Sequence, residues 1–183
     1  MVGGPWLVAM VFAVGSVAVS LVRLRRVHGA VTFDLASLAR ALGRTGDIDR
    51  LRRTCDLMVE QEGETWESEL VRAALEARSP TERTAVVNEQ LGDVEAALAW
   101  GSRIPVAAAR LSALGPMSVL FFALAEGRMQ IADVLPLVAW AGAGVMGALF
   151  VGREADHSAA ETRKGIDAWV TRVLDAAHTS VPP

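Results

Sequence analysis

Cysteine is nearly missing from this 183-residue chain: Cys55 stands alone, so no disulfide can form within it. It lies in a polar stretch and is expected to be a reduced cytosolic thiol. Histidine is scarce as well. His28, His157 and His178 are far apart and form no HxxxH or HExxH pair, so no metal site is expected. No glycine-rich phosphate loop is present, and no nucleophile stands beside a base, which argues against an enzyme and against any cofactor. Basic charge is not in excess either. A net charge of −3 leaves no footprint for nucleic acid. Strand signals and low-complexity linkers are absent, and an all-α fold is what remains.

What the chain does have is apolar residues, 52% of the total, gathered into three runs. The first is Pro5 to Val22, eighteen residues. As a helix it would cover about 27 Å, enough for a bilayer core. A cleaved signal peptide would carry its positive charge before the run. Here Arg23, Arg25 and Arg26 follow it, which favours a retained anchor with the N-terminus outside. The second run, Ile104 to Ala125, contains Arg110 and Pro116. The third, Val134 to Val151, has no charge at all. Only residues 126–133 separate these two, so they are expected to form a membrane hairpin rather than a buried soluble one. Arg103 precedes the hairpin, and Arg153, Arg163, Lys164 and Arg172 follow it. The expected protein is therefore an all-α membrane protein. It has transmembrane helices at 5–22, 104–125 and 134–152, a cytoplasmic helical insert at 23–103 and a periplasmic loop at 126–133. A cytoplasmic amphipathic tail at 153–183 completes it, with long helices extending into the cytoplasm.

The polar insert has helical periodicity. FDLASLARAL repeats apolar residues at Phe33, Leu35, Leu38, Ala39 and Leu42, and Gly43 and Gly46 then break it. Asp47 is a natural cap for a helix with Ile48, Leu51, Cys55 and Met58 on one face. Trp66, Leu70, Ala73, Ala74 and Ala77 mark a third helix. A fourth starts after Pro80, capped by Ser79 or Thr81, with Val87, Leu91, Val94 and Leu98 along one side. It is expected to run on into the second span. Beyond the third span, Ile166, Trp169, Val170, Val173, Leu174 and Ala177 form a stripe that needs a partner, either the middle helices or a second copy.

The stretch LVAWAGAGVMGALFVGREAD, Leu137 to Asp156, runs through the third span and is full of Gly and Ala before Arg153, Glu154 and Asp156. Gly144, Ala148 and Gly152 recur at spacing four, and Ala139, Ala143 and Gly147 lie beside them. In lipid, small residues let helices approach closely. Such stripes suit a ring of identical subunits. The alternative is a contact with the second span inside one chain. Arg110 is the one ionisable residue within an apparent span. It is either functional or snorkels to the headgroups.

Three segments carry a resemblance. GRTGDIDRLRRTC resembles the Gly-Asp opening of a cytosolic helix in the MotA/TolQ/ExbB family of ion-driven membrane subunits. NEQLGDVEAALAWGSRIPVAAA is similar to the helix leading into that family's second span, and IADVLPLVAWAGAGVMGALFVGREAD to its third. The resemblance covers nearly the whole chain through its layout. It implies a multi-pass subunit of a bacterial inner membrane, homo-oligomeric and pentameric, working with a single-span ExbD/TolR/MotB-like partner. Two departures stand out. The second span has no threonine, Ser118 and Ser112 being its hydroxyls, and Ala141 occupies the place of a pore threonine in the third. Arg110, Ser118 and Ala141 are thus the pore or gradient-coupling candidates. Gly144, Gly147, Ala148 and Gly152 are the packing and oligomer candidates. A non-conducting scaffold of the same family and an unrelated three-span protein are the alternative functions.

Overall fold

A computed structural model describes residues 6–43, 48–127 and 131–178, and every regular element among them is helical. The order is α1 Trp6–His28, α2 Leu35–Leu42, α3 Ile48–Glu62, α4 Trp66–Glu76, α5 Pro80–Ala99, α6 Ile104–Ala125 and α7 Ile131–His178. Pro5, the expected breaker Gly46 and the expected cap Asp47 lie outside the described residues, as do 128–130 of the expected loop and 179–183 of the tail. Helices α1, α6 and α7 are each long and apolar enough to cross a membrane.

Local chemistry sets the helix ends. The Asp34 carboxylate accepts the Ser37 N–H at 3.2 Å and starts α2, and Gly43 ends it at φ +78°. Thr65 and Ser68 cap each other reciprocally at the start of α4. Ser79 Oγ accepts the Glu82 N–H at 3.1 Å in front of α5, the role expected of Ser79 or Thr81. One boundary differs from expectation: α5 does not run on into α6. Gly101 has φ +68°, and Ile104 donates back to its carbonyl in a tight turn at 2.9 Å. Pro105 explains the break. It has no N–H to offer the Gly101 carbonyl, as a continuous helix would require, but it fits the first turn of a new helix.

The chain divides into two compact units: Met1–Val27 with Ala99–Ser158, and His28–Leu98 with Ala159–Pro183. In the first unit the interior is small. Ala9, Ala13, Ser16 and Ser20 of α1 meet Ala108, Ala109 and Ser112 of α6 and Ala148 and Ala155 of α7. Most large apolar side chains point outward, with Phe121 67% and Phe150 73% exposed, although Leu137 is buried. That is the reverse of a water-filled surroundings' demand and the pattern of helices packed in lipid, where close approach rather than apolar burial holds them together.

The second unit has the opposite logic. Leu35, Leu42, Leu51, Met58, Leu70, Val87, Leu98, Trp169 and Val173 are its core. Each such side chain contributes about 1.5–3 kcal/mol when taken from water. The tail stripe is satisfied inside the chain, the first of its two expected partners: Ile166, Trp169, Val173 and Ala177 are buried. Gly165 of α7 is close to Leu35 and Ala36 of α2. Two buried polar side chains tie segments of this unit together. Arg83 of α5 donates from Nε to the Ala74 carbonyl at 2.8 Å, capping the C-terminal end of α4. Glu67 of α4 accepts the Thr32 N–H at 2.7 Å, tying down the segment before α2.

Candidate functional site in the three-helix bundle

On α1, Ala9, Ala13, Ser16, Ser20, Arg23 and Val27 are buried at spacings of three and four, so one face of the helix is turned inward. Its polar members find partners across the bundle. Ser16 Oγ donates to the Ala108 carbonyl of α6 at 2.8 Å. Ser20 Oγ donates to the Ser16 carbonyl at 2.8 Å within α1. Ser112 Oγ of α6 donates to the Ala141 carbonyl of α7 at 3.4 Å. At the end of the track, Arg23 is only 2% exposed. Its Nη1 reaches the Gly152 carbonyl at 3.5 Å and its Nη2 an oxygen of Asp156 at 2.5 Å. The Asp156 side chain is 64% exposed, so the pair joins a buried guanidinium to a solvated carboxylate. Among the described residues Arg23 Nε has no hydrogen-bond partner. Arg26, one helical turn on, stacks over the Trp100 ring at 4.0 Å from its centroid.

The glycines of α7 make this bundle possible. A Cβ on Gly144 would collide with Ser112 Oγ of α6 and with Ala13 of α1, and one on Gly152 would lie 2.5 Å from Pro105. A Cβ on Gly147 would come within 2.7 Å of Val17, and Ala148 is fully buried. The close approach expected of these four residues is met within the chain, by both α1 and α6. The face that a second copy could reach is another one. There Gly142 has nothing within 4 Å of a built Cβ, and Met146 and Phe150 are exposed.

The pore candidates divide. Ala141 is half-buried and belongs to the bundle through its carbonyl. Arg110 and Ser118 do not join it. Both are exposed on one face of α6 with Leu114 and Phe121, and Ser118 Oγ is turned back to the Leu114 carbonyl at 2.9 Å. The roles of Ser16 and Ser20 and the inward turn of Arg23 were not expected from the sequence. Arg23 was expected only as flanking charge. The signal was present: small or polar residues at three-and-four spacing within a run of large apolar ones.

The chemistry available here is packing and charge placement. The three serine hydroxyls are already donated to carbonyls. No cluster of metal-ligating side chains occurs among the described residues. Cys55, in the other unit, is buried with Sγ 3.6 Å from the Ser68 carbonyl. Burial pushes its thiol up, Asp56 adds to this and Arg72 opposes it, so the thiol is held in its unreactive form. No protein-family model, no curated protein and no solved structure matches this chain.

Proposed function

We propose that this chain is a MotA/TolQ/ExbB-like subunit of a bacterial inner membrane. In this reading it assembles as a homo-oligomer, a pentamer by resemblance, around a single-span ExbD/TolR/MotB-like partner and helps to draw work from an ion gradient. The observation that carries the reading is the order of elements. One apolar helix is followed by four shorter helices, then by two apolar helices, the last continuing unbroken for 48 residues into an amphipathic stalk. In this reading the N-terminus and the 126–133 loop lie outside and the C-terminus inside, which the arginine distribution supports. No ionisable residue stands between Val134 and Val151, and the buried serines spend their protons on carbonyls. An ion crossing such a core alone would face a cost of several kcal/mol. The titrating acid therefore comes from the partner helix.

A second reading is favoured by Ala141, which brings no hydroxyl to the pore: a scaffold that assembles but does not conduct. Internal pH in proteoliposomes, with and without the partner, separates the two. The energising role predicts proton flux only with the partner and its abolition when the partner's acid is removed. A complex that forms without flux supports the scaffold. Flux through the isolated chain overturns both.

A further inference from the structure

We infer that Arg26, Trp100 and Arg103 form a headgroup site for an anionic phospholipid at the basic end of the three-helix bundle. The inference rests on the membrane-crossing helices alone and is independent of the energising role. Arg26 lies over the Trp100 ring at 4.0 Å from its centroid, and Trp100 is 40% exposed, so the stacked pair is accessible. Trp rings sit at headgroup level, and arginines gather at the cytoplasmic ends of spans. The turn carrying Trp100 also carries Arg103, which is exposed and precedes α6 without a side-chain cap, so the positive end of that helix adds to the field. Val22, one turn before Arg26 on α1, and Val106, three residues after Arg103 on α6, are exposed and offer an acyl chain its apolar wall.

Charge bookkeeping selects the lipid. Asp156 answers Arg23, and Glu154 lies about 200° round α7 from the inward-facing Gly152, away from the bundle's interior. Among the described residues the ion pairs are Arg23–Asp156 and Arg72–Glu64, and neither Arg26 nor Arg103 takes part in one. The buried Nε of Arg23, bonded to a Cδ that lies 3.8 Å from a Cβ built on Gly101, adds an unpartnered donor beside the same turn. Two guanidiniums suit a phosphate with no ammonium of its own. A zwitterionic headgroup would bring a third cation against them.

The test uses the full chain in detergent, exchanged into mixtures of phosphatidylglycerol and phosphatidylcholine, with retained lipid counted by native mass spectrometry. Wild type is expected to retain phosphatidylglycerol about tenfold over phosphatidylcholine, and the Arg26→Ala/Arg103→Ala variant to lose that preference with unchanged helicity. Millimolar glycerol phosphate should not displace the lipid. Equal retention of the two lipids by wild type overturns the site. Displacement by glycerol phosphate points to a free-phosphate site and overturns the lipid assignment. An intact preference in the double variant overturns the residues named. Should that variant lose its helicity, the wild-type ratio and the competition decide the matter by themselves.

Discussion

Arg23 shows how one residue's meaning changes with its surroundings. In the chain it is one of three arginines after an apolar run. In the bundle it is a buried cation whose counter-ion is 133 residues away. Removing Asp156 would leave that cation unpaired, whereas removing both charges would not. Asp156→Asn is expected to destabilise the protein by about 1–2 kcal/mol, below the fully buried case because the carboxylate is solvated. Arg23→Met/Asp156→Asn should recover most of the loss. Denaturant unfolding in detergent measures both, and a double variant no better than the single would contradict the pairing. Cys55 makes the second case at this scale. Its raised pKa means that the folded state favours the neutral thiol. The stability this contributes is complete below the thiol's ordinary value of 9.0 and is lost as the pH rises through the folded value. Cys55→Ala should flatten that alkaline decline. Maleimide labelling of the wild type at neutral pH should be slow until the protein is unfolded, and rapid labelling of the folded chain would refute the burial.

Among the elements, α7 spans both packing regimes. Its first half carries glycines against α1 and α6, and its second half carries Trp169 and Val173 into a core of large residues. The periodicity of the tail was legible because a water-soluble core imposes large apolar residues at helical spacing. The lipid-facing half was harder to orient. There most large residues face outward, and apart from the buried Leu137 the inward face is marked by being small. Gly144→Leu is expected to cost about 3 kcal/mol or more, by forcing α6 and α1 apart. Gly142→Leu, which meets nothing, should leave thermal stability unchanged. Equal effects of the two would show that the inward face has been misassigned. The α5–α6 break also escaped periodicity, because apolar spacing continues across it. Gly101 and Pro105 were the signal, a left-handed stop followed four residues later by a proline start.

For the whole molecule, the distribution of arginines remains the basis for orientation. Cys55 is no reporter of it, being buried. In a Cys55→Ala background, Gly127→Cys should react with an impermeant reagent in intact cells, and Arg163→Cys only after lysis. The reverse pattern would invert the topology, and with it the side on which any partner's acid is loaded. Association of copies, if the energising reading holds, falls to the exposed faces bearing Phe121, Met146 and Phe150 rather than to the filled glycine stripe.

By itself the sequence determined the helical class, the three apolar helices and most of the short helices between them. These follow from composition and from spacing along one helix, which are local properties. It also showed that α7's small residues must be closely approached. Only the tertiary structure decided by what. Gly144 and Gly152 could have admitted a neighbouring subunit, but Ser112, Ala13 and Pro105 already fill the space. Likewise Arg23 could have snorkelled outward with Arg25, but the Gly152 carbonyl and Asp156 turn it inward. The reason is the same in both cases. A stripe of small residues and a charge at a helix end each specify that a partner is needed, and spacing along one helix carries no information about which other helix arrives.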